Sequence, residues 1–264
     1  MTPRRTSIPL ALTLLGCSLL AAPGVRAQAS FVDDFDRLDG SRWYLSDGWS
    51  NGEHQNCTWS KDEITVSDGR LRVGFSPVPA GDRAFRCGEV QTHASLGHGT
   101  YEARLKTPSG SGLNAAFFTY IGEVHGKQHD EIDFEILMKD TMEVHTTTFV
   151  NGVSGDGQKG GEMYLPLPYP ADEGFIDYAL VWAPDRLDFY INGQLSRSIT
   201  DLRQIPFTPM RVYFSLWGTD TLGAWMGPFE APTAPIAMEV DRFAFTRLGD
   251  ECQFADSVAC KIDR

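Results

Sequence analysis

The five residues Glu131-Ile132-Asp133-Phe134-Glu135 alternate carboxyl and apolar side chains without interruption. Successive side chains of a β-strand point to opposite faces. As a strand, the segment places its three acids on one face and its apolar residues on the other. A helix would put Glu131 and Glu135 one turn apart, where like charges repel. The pattern therefore predicts a strand whose apolar row packs into a core and whose acids line an open groove.

Three carboxyl groups this close cannot all ionise freely, because each charge raises the proton affinity of its neighbours. An ionised carboxylate beside a protonated one is the pair that a retaining glycosidase uses, with the two groups about 5–5.5 Å apart. On a flat strand the Cα atoms of Glu131 and Glu135 lie roughly 13 Å apart. The strand must therefore be bent and concave. An ordinary solvated face and a calcium site are the alternatives that the spacing alone leaves open.

Residues 1–29 have the features of a secretory signal. Two arginines precede an apolar stretch (8–22), which is short for a membrane span, and a small-residue cleavage site follows. We expect cleavage near Ala27 or Ala29 and a secreted or periplasmic protein. Lipidation at Cys17 is the alternative. No later segment has the apolar length of a membrane span.

The net charge is strongly negative, with 23 Lys and Arg against 35 Asp and Glu. Removing the three arginines of the signal leaves 20 against 35, a net charge of −15. This argues against nucleic acid or an anionic membrane as partner and suits a polysaccharide substrate. The remaining length, about 235 residues, is typical of one large β-domain. We place a catalytic domain at 30–250 and a tail at 251–264, and expect a monomer.

Four cysteines remain once the signal is removed, an even number that predicts disulfides in an oxidising compartment. They allow three pairings, of which we favour Cys57 with Cys87 and Cys252 with Cys260. A zinc site is disfavoured because the spacings do not match the usual ligand pairs.

Strand patterns dominate the rest of the chain, and long helical periodicity is absent. Asn192-Gly193 stands between two strand patterns and predicts a tight hairpin. Short strands broken by turns predict an all-β sandwich of two sheets. The predicted strands are 100–106, 113–121, 178–182, 187–191, 195–199, 211–216 and 238–246.

Short motifs along the whole mature chain carry a family resemblance. The chain resembles glycoside hydrolase family 16, most closely its lichenase-like branch of endo-β-1,3-1,4-glucanases. The segment 47–57 is especially similar to rhizobial-type glycanases that trim exopolysaccharide such as succinoglycan. The motifs are Ser50-Asn51-Gly52, Asn56-Cys57-Thr58-Trp59, Cys87-Gly88-Glu89, Phe117-Phe118-Thr119-Tyr120, His125-Gly126, residues 130–135, Lys139-Asp140-Thr141, Leu216-Trp217 and Trp225-Met226-Gly227.

The resemblance implies a jelly-roll (concanavalin-like) sandwich of two antiparallel sheets, with a substrate cleft on the concave one. It implies that Glu131 is the nucleophile, Glu135 the general acid/base and Asp133 the assisting residue between them. No cofactor is needed for this chemistry. Aromatic faces suit the apolar C–H edges of sugar rings, and polar side chains bind hydroxyls. The positions that the resemblance assigns to substrate binding, with His129 added because it adjoins the acids, are Asn51, Glu89, Phe118, Tyr120, His129, Trp217 and Trp225.

Family members often hold a structural calcium opposite the cleft. The matching positions are the backbone carbonyls of Asp34 and Gly69 and the carboxylate of Asp241.

Three positions depart from the lichenase pattern. His129 replaces a tryptophan, Gln91 replaces an arginine, and Thr147 lies in a strand that is rich in Asn and Tyr in lichenases. These departures predict a shift away from plain mixed-linkage glucan.

A catalytically silent carbohydrate-binding protein of the same fold is the competing interpretation from another functional class. The intact set of acids argues against it, because a binding protein has no need for mutually repelling carboxylates. Within the enzymes, a transglycosylase or a galactan hydrolase of the same family is the alternative.

Overall fold

The computed structural model describes residues 29–154 and 161–262, and strands dominate both ranges. The predicted signal therefore lies outside the described residues, apart from Ala29. One four-residue α-helix, α1 (Gly223–Met226), accompanies the strands in these ranges, together with three-residue 3-10 helices at Lys61–Glu63, Glu123–His125, Leu202–Gln204 and Val258–Cys260. The strands are β1 (Phe31–Asp33), β2 (Trp43–Leu45), β3 (Cys57–Trp59), β4 (Ile64–Ser67), β5 (Arg70–Ser76), β6 (Phe85–Thr92), β7 (Gly99–Lys106), β8 (Leu113–Ile121), β9 (Asp130–Leu137), β10 (Glu143–Val150), β11 (Val153–Ser154), β12 (Met163–Pro166), β13 (Ile176–Ala183), β14 (Arg186–Ile191), β15 (Gln194–Ile199), β16 (Arg211–Gly218) and β17 (Ile236–Arg247).

The strands form the two-sheet jelly-roll sandwich that the sequence predicted. One sheet runs β15-β14-β13-β7-β17, and β17 continues to β1 and β5. The other runs β2-β6-β16-β8-β9-β10-β12. Strand β6 joins the two, because its first residues also pair with β3 and β5. The β3–β6 pairing is parallel, which the prediction of purely antiparallel sheets did not include.

All seven predicted strands are confirmed to within a few residues at their ends. The predicted hairpin joins β14 to β15 through Asn192 (φ 47°) and Gly193 (φ 74°). Both residues adopt the positive φ that a tight hairpin turn requires.

The core lies between the sheets and receives the apolar row of β9, as predicted. Ile132, Phe134 and Ile136 are at most 2% exposed. The Phe134 ring meets Tyr178 and Phe189 of the opposite sheet with centroids 5.5 and 5.2 Å apart. Because this row is anchored in the core, the alternate residues of β9 must face away from it.

The C-terminal residues pack on the outer face of the first sheet. Val258 joins a small apolar cluster with Ala179 and Val181. Ser257 Oγ donates to Glu102 at 2.5 Å, and the Val258 amide donates to the same carboxyl at 2.8 Å. The tail is thus docked on the sheet by both apolar and polar contacts.

The two predicted disulfides, Cys57–Cys87 and Cys252–Cys260, are both formed. The first joins the parallel strands β3 and β6, and the second closes the tail. Within the ranges that the structure covers, no helix has the length and apolar character to cross a membrane.

Candidate active site

The register of β9 with its neighbours fixes what lies beside each acid. Paired residues on adjacent strands project to the same face of a sheet, so the open face of the second sheet is organised in rows that cross the strands. The rows, taken from β16 through β8 and β9 to β10, are Arg211, Tyr120, Glu131 and Phe149; Tyr213, Phe118, Asp133 and Thr147; and Ser215, Ala116, Glu135 and His145.

Glu131 is paired with a histidine. Its Oε2 lies 2.6 Å from His129 Nε2, and the two side chains are 19% and 32% exposed. His129 stacks on Phe149 with ring centroids 4.8 Å apart. The hydrogen bond with Glu131 raises the pKa of His129, whereas burial raises the pKa of Glu131 against the opposing effect of His129. The structure thus brings His129 to the acids; its contact with sugar stays a prediction.

Asp133 lies between the two glutamates and is 3% exposed. Burial raises its pKa well above the usual range, and the charges of Glu131 and Glu135 raise it further. These effects favour a protonated Asp133. A protonated carboxyl has an O–H that can donate a hydrogen bond to one of its neighbours. The assisting role that the resemblance implies for Asp133 stays a prediction.

Both carboxyl oxygens of Glu135 are engaged. Asn114 Nδ2 donates to Oε1 at 2.8 Å, and His145 Nδ1 lies 3.2 Å from Oε2. On the far side of the imidazole, Nε2 lies 2.9 Å from Glu162 Oε1. The sequence did not single out Asn114, His145 or Glu162, although they hold the proposed acid/base in one orientation.

Aromatic side chains flank the acids on the β8 side. Phe118 stacks on Tyr213 with centroids 4.8 Å apart, and Tyr120 meets Tyr213 edge-on at 5.9 Å. Phe118 and Tyr120 are half-buried, so part of each ring stays accessible. Both predicted residues therefore lie beside the acids, and Tyr213 joins them as a residue that the sequence analysis missed.

Trp217 and Trp225 form a second aromatic group near the Glu135 end. Their rings lie 6.3 Å apart, and Trp225 meets His145 at 6.0 Å. Both are half-buried, whereas three other tryptophans of the chain are fully buried in the core. This partial exposure beside the acids is what a sugar-binding role requires; the role itself stays a prediction.

Asn51 lies in the loop before β3, and its hydrogen bonds are to residues of that loop and of β3. Its Oδ1 accepts from Trp59 Nε1 at 3.4 Å, and its amide donates to Gln55. The same loop reaches the cleft through His54, whose ring meets Trp217 at 5.6 Å. Contact between Asn51 and sugar stays a prediction that depends on this loop.

Glu89 is more buried than a sugar-binding acid needs to be. It is 3% exposed, and its Oε1 accepts from Ser46 Oγ at 2.5 Å. Burial raises its pKa to about 7. Because Glu89 pairs with Ser215, it belongs to the row that continues through Ala116 to Glu135 on the open face. Its contact with sugar stays a prediction.

We expect Glu89 to make stability depend on pH. Below about pH 4.5 its carboxyl is protonated in both folded and unfolded chains; between there and about pH 7 the folded chain binds more protons, so stability falls as pH rises. Across this pH window the contribution of Glu89 to the free energy of unfolding should fall by roughly 3 kcal/mol. Glu89→Gln should remove this component, which urea unfolding of wild type and variant across the window would measure. The exposed Glu123→Gln is the control, and parallel pH curves for wild type and Glu89→Gln would contradict the prediction.

Two of the departures from the lichenase pattern are bonded to the protein itself. Gln91 Oε1 accepts from Arg211 Nη1 at 2.9 Å and from the Tyr213 hydroxyl at 3.1 Å. Thr147 Oγ1 donates to the carbonyl of Gly161 at 3.4 Å. Gln91 is thus held by Arg211 from the neighbouring strand, a contact that the linear sequence did not reveal.

The expected calcium position is unsuited to a metal ion. Asp241 Oδ1 lies 3.6 Å from Arg70 Nε, and Oδ2 lies 3.3 Å from Arg104 Nε. Calcium takes six to eight oxygen ligands, whereas here guanidinium groups face both carboxylate oxygens and would repel a cation. Among the described residues no group of three or more His, Cys, Asp or Glu is arranged to hold a metal. Asp241, with the carbonyls of Asp34 and Gly69, therefore does not fit calcium in this arrangement.

The site as a whole places its two outer acids in different surroundings. Glu131 contacts His129, which favours its ionised form. Glu135 contacts His145, which also contacts Glu162. Two carboxyl groups held in distinct environments can act as nucleophile and proton donor in one reaction. The half-buried aromatic rings on either side can bind the sugar rings of a polymer.

Comparison with known proteins agrees with this chemistry. The chain is 51% identical over 236 residues to the endo-1,3-1,4-beta-glycanase ExoK of Rhizobium meliloti (strain 1021), covering 89% of this chain and 85% of that protein. It is 34% identical to a beta-glucanase of Acetivibrio thermocellus, covering 91% of this chain and 71% of the relative.

Among solved structures, a beta-glucanase of Bacillus licheniformis superposes with a TM-score of 0.77 at 31% identity, covering 84% of this chain and all of that one. The sequence profile described as Glycosyl hydrolases family 16 matches residues 51–234, a range that contains every proposed catalytic residue. The chain therefore belongs to glycosyl hydrolase family 16.

Proposed function

We propose that the chain is a retaining endo-1,3-1,4-β-glycanase that acts outside the cytoplasm on a bacterial exopolysaccharide such as succinoglycan. The carrying observation is the face of β9, where two glutamates on either side of a buried aspartate have different partners. The similarity to ExoK supports the substrate class. We further propose that it works as a secreted or periplasmic monomer with its catalytic domain at 30–250. Two disulfides support the compartment.

In the first step Glu131 forms a bond to the anomeric carbon while the glycosidic C–O bond breaks and Glu135 gives its proton to the departing oxygen. In the second step water attacks the same carbon, Glu131 leaves, and the proton from water returns to Glu135. The sum is one water consumed per bond cleaved, with the anomeric configuration retained. Asp133, held protonated by burial, hydrogen-bonds to the nucleophile between steps.

A pure carbohydrate-binding protein is less well supported by the same residues. Burial raises the pKa of both Glu131 and Asp133, so keeping these acids together costs stability. A retaining mechanism needs these carboxyl groups close together, whereas sugar binding alone does not.

We expect kcat/KM to be greater on the branched exopolysaccharide than on lichenan. Gln91 and Thr147 are bonded to the protein, so they offer a bare glucan fewer hydrogen bonds than the lichenase pattern provides. Each lost bond is worth roughly 0.5–1.5 kcal/mol, and two or three would shift the preference by about one to two orders of magnitude. Initial rates on succinoglycan, lichenan, laminarin and agarose would measure it, and proton NMR of early products would show whether the β-anomer forms first.

Thr147→Asn is the matched variant, because it restores an amide at this position and should raise turnover of lichenan alone. Equal or better turnover of lichenan by the wild type would contradict the preference. An α-anomer as first product would contradict the retaining mechanism.

A further inference from the structure

His145 is a titratable group in contact with Glu135 that the proposed mechanism leaves without a task. Its side chain is only 6% exposed. Tyr164 of β12 covers it, stacked at 4.6 Å with the planes 28° apart, and Trp225 closes the other approach. The imidazole therefore has little direct contact with bulk water, and its surroundings in the protein decide where its protons lie.

The neighbours of His145 define where its protons can lie. Nδ1 faces Glu135 from β9, and Nε2 faces Glu162 from the segment before β12. Arg197 of β15 approaches the same strand from behind, but donates to the backbone carbonyls of Thr146 and Gly161. The charged groups that face the imidazole are therefore two carboxylates, and they raise the pKa of His145 against the opposite effect of burial.

The hydrogen bonds of Glu135 leave one oxygen for a proton. Asn114 donates to Oε1, so Oε1 acts as an acceptor. A proton on Oε2 points at His145 Nδ1, and a proton on Nδ1 points back at Oε2. Nε2 lies 2.9 Å from Glu162 Oε1, so a proton on Nε2 is balanced by that carboxylate. The pair Glu135 and His145 then holds a single proton across the 3.2 Å contact.

Resting on the proposed role of Glu135, we propose that His145 is a positioning residue that shares the catalytic proton with Glu135, and that Glu162 fixes its orientation. The shared proton is the one delivered to the departing glycosidic oxygen, and the attacking water later returns it. A carboxyl acting alone loses its proton at lower pH than a pair that includes an imidazole. The acid function that the pair supplies should therefore persist to higher pH with His145 present than without it.

The test compares His145→Gln and Glu162→Gln with wild type on two substrates. One is the polysaccharide, whose leaving oxygen needs a proton. The other is a 2,4-dinitrophenyl β-glycoside of a gluco-oligosaccharide, whose leaving group does not. On the polymer at about pH 8 we expect kcat/KM to fall about tenfold or more in His145→Gln, and the alkaline limb of the pH profile to move to lower pH. On the dinitrophenyl substrate the loss should stay below about twofold.

Glu162→Gln should move the alkaline limb in the same direction by a smaller amount. Because Glu162 is one-third exposed, this variant carries the test even if His145→Gln does not fold. His93→Gln is the matched control, since His93 is a surface residue hydrogen-bonded to the carbonyl of Gly40; it should leave both rates unchanged.

Glu135→Ala separates this inference from the proposed function. If this variant loses activity on the polymer but keeps activity on the dinitrophenyl substrate, Glu135 is the acid/base. Unchanged pH profiles in both His145→Gln and Glu162→Gln would then overturn the shared proton alone. Equal loss on both substrates in Glu135→Ala would overturn the proposed role of Glu135, and the role of His145 with it.

Discussion

Glu131→Ala is expected to reduce hydrolysis of the polysaccharide by at least about 10⁴-fold, because no other group can form the glycosyl-enzyme bond. Within the described structure the neighbour on its own side is His129, whose Nε2 is directed at the lost carboxylate. Asp133 is held protonated by burial and is a poor nucleophile. Initial rates on succinoglycan, with circular dichroism to confirm the fold, would measure the loss.

Azide provides a positive readout for the same variant. The vacated side-chain space lies on the face from which Glu131 attacks, and Glu135 keeps its partners on the other side. With a dinitrophenyl substrate, azide should attack from that face and give an α-configured glycosyl azide. Glu251→Ala, which removes an exposed acid of the tail, is the control and should match wild type. Activity retained in Glu131→Ala, or a β-configured azide, would show that another residue is the nucleophile.

The alternation of β9 could be predicted from sequence because it depends only on the strand period. Ile132 and Phe134 needed a core, and this requirement alone sent Glu131 and Glu135 to the opposite face. The Asn192-Gly193 hairpin was predictable for a similar local reason, since few residues accept positive φ at both turn positions.

The partners of the acids were not predictable in the same way, because they depend on register between strands. His145 faces Glu135 only because β9 and β10 pair in one register, and a shift by one residue would turn its side chain to the core. The connection between these strands, residues 138–142, is a turn in which Asp140 Oδ1 accepts from the Met142 amide, and its sequence alone does not give the register. The contact of Arg211 with Gln91 likewise depends on the register between β16 and β6.

The surroundings of the expected calcium position depend on distant segments. The two arginines that face Asp241 come from β5 and β7, far from it in the sequence. Guanidinium groups beside a carboxylate disfavour a divalent cation there, and the sequence around Asp241 gives no sign of them.

Removing the Cys57–Cys87 disulfide is expected to have the largest effect on stability. The bridge closes a loop of 30 residues, for which the chain-entropy estimate is roughly 3–4 kcal/mol. Both cysteines are fully buried, so a Cys57→Ala/Cys87→Ala variant also loses packing. Gln55 Nε2, which lies 3.3 Å from Cys87 Sγ, loses part of its support.

The effect should extend to the site, because the bridge holds β3 against β6, and β6 carries Glu89 and Gln91 into the second sheet. Urea unfolding of the double variant should give a free energy of unfolding lower than that of the wild type by roughly 3 kcal/mol or more. Cys252→Ala/Cys260→Ala is the matched control. It opens a loop of only 8 residues in the tail, so its cost should be smaller, roughly 2 kcal/mol, and the active site should keep its rate. Equal destabilisation by the two double variants would mean that loop length and burial do not determine what these bridges contribute. If Cys57→Ala/Cys87→Ala kept the wild-type free energy of unfolding, the packing of β3 on β6 would hold without its covalent link.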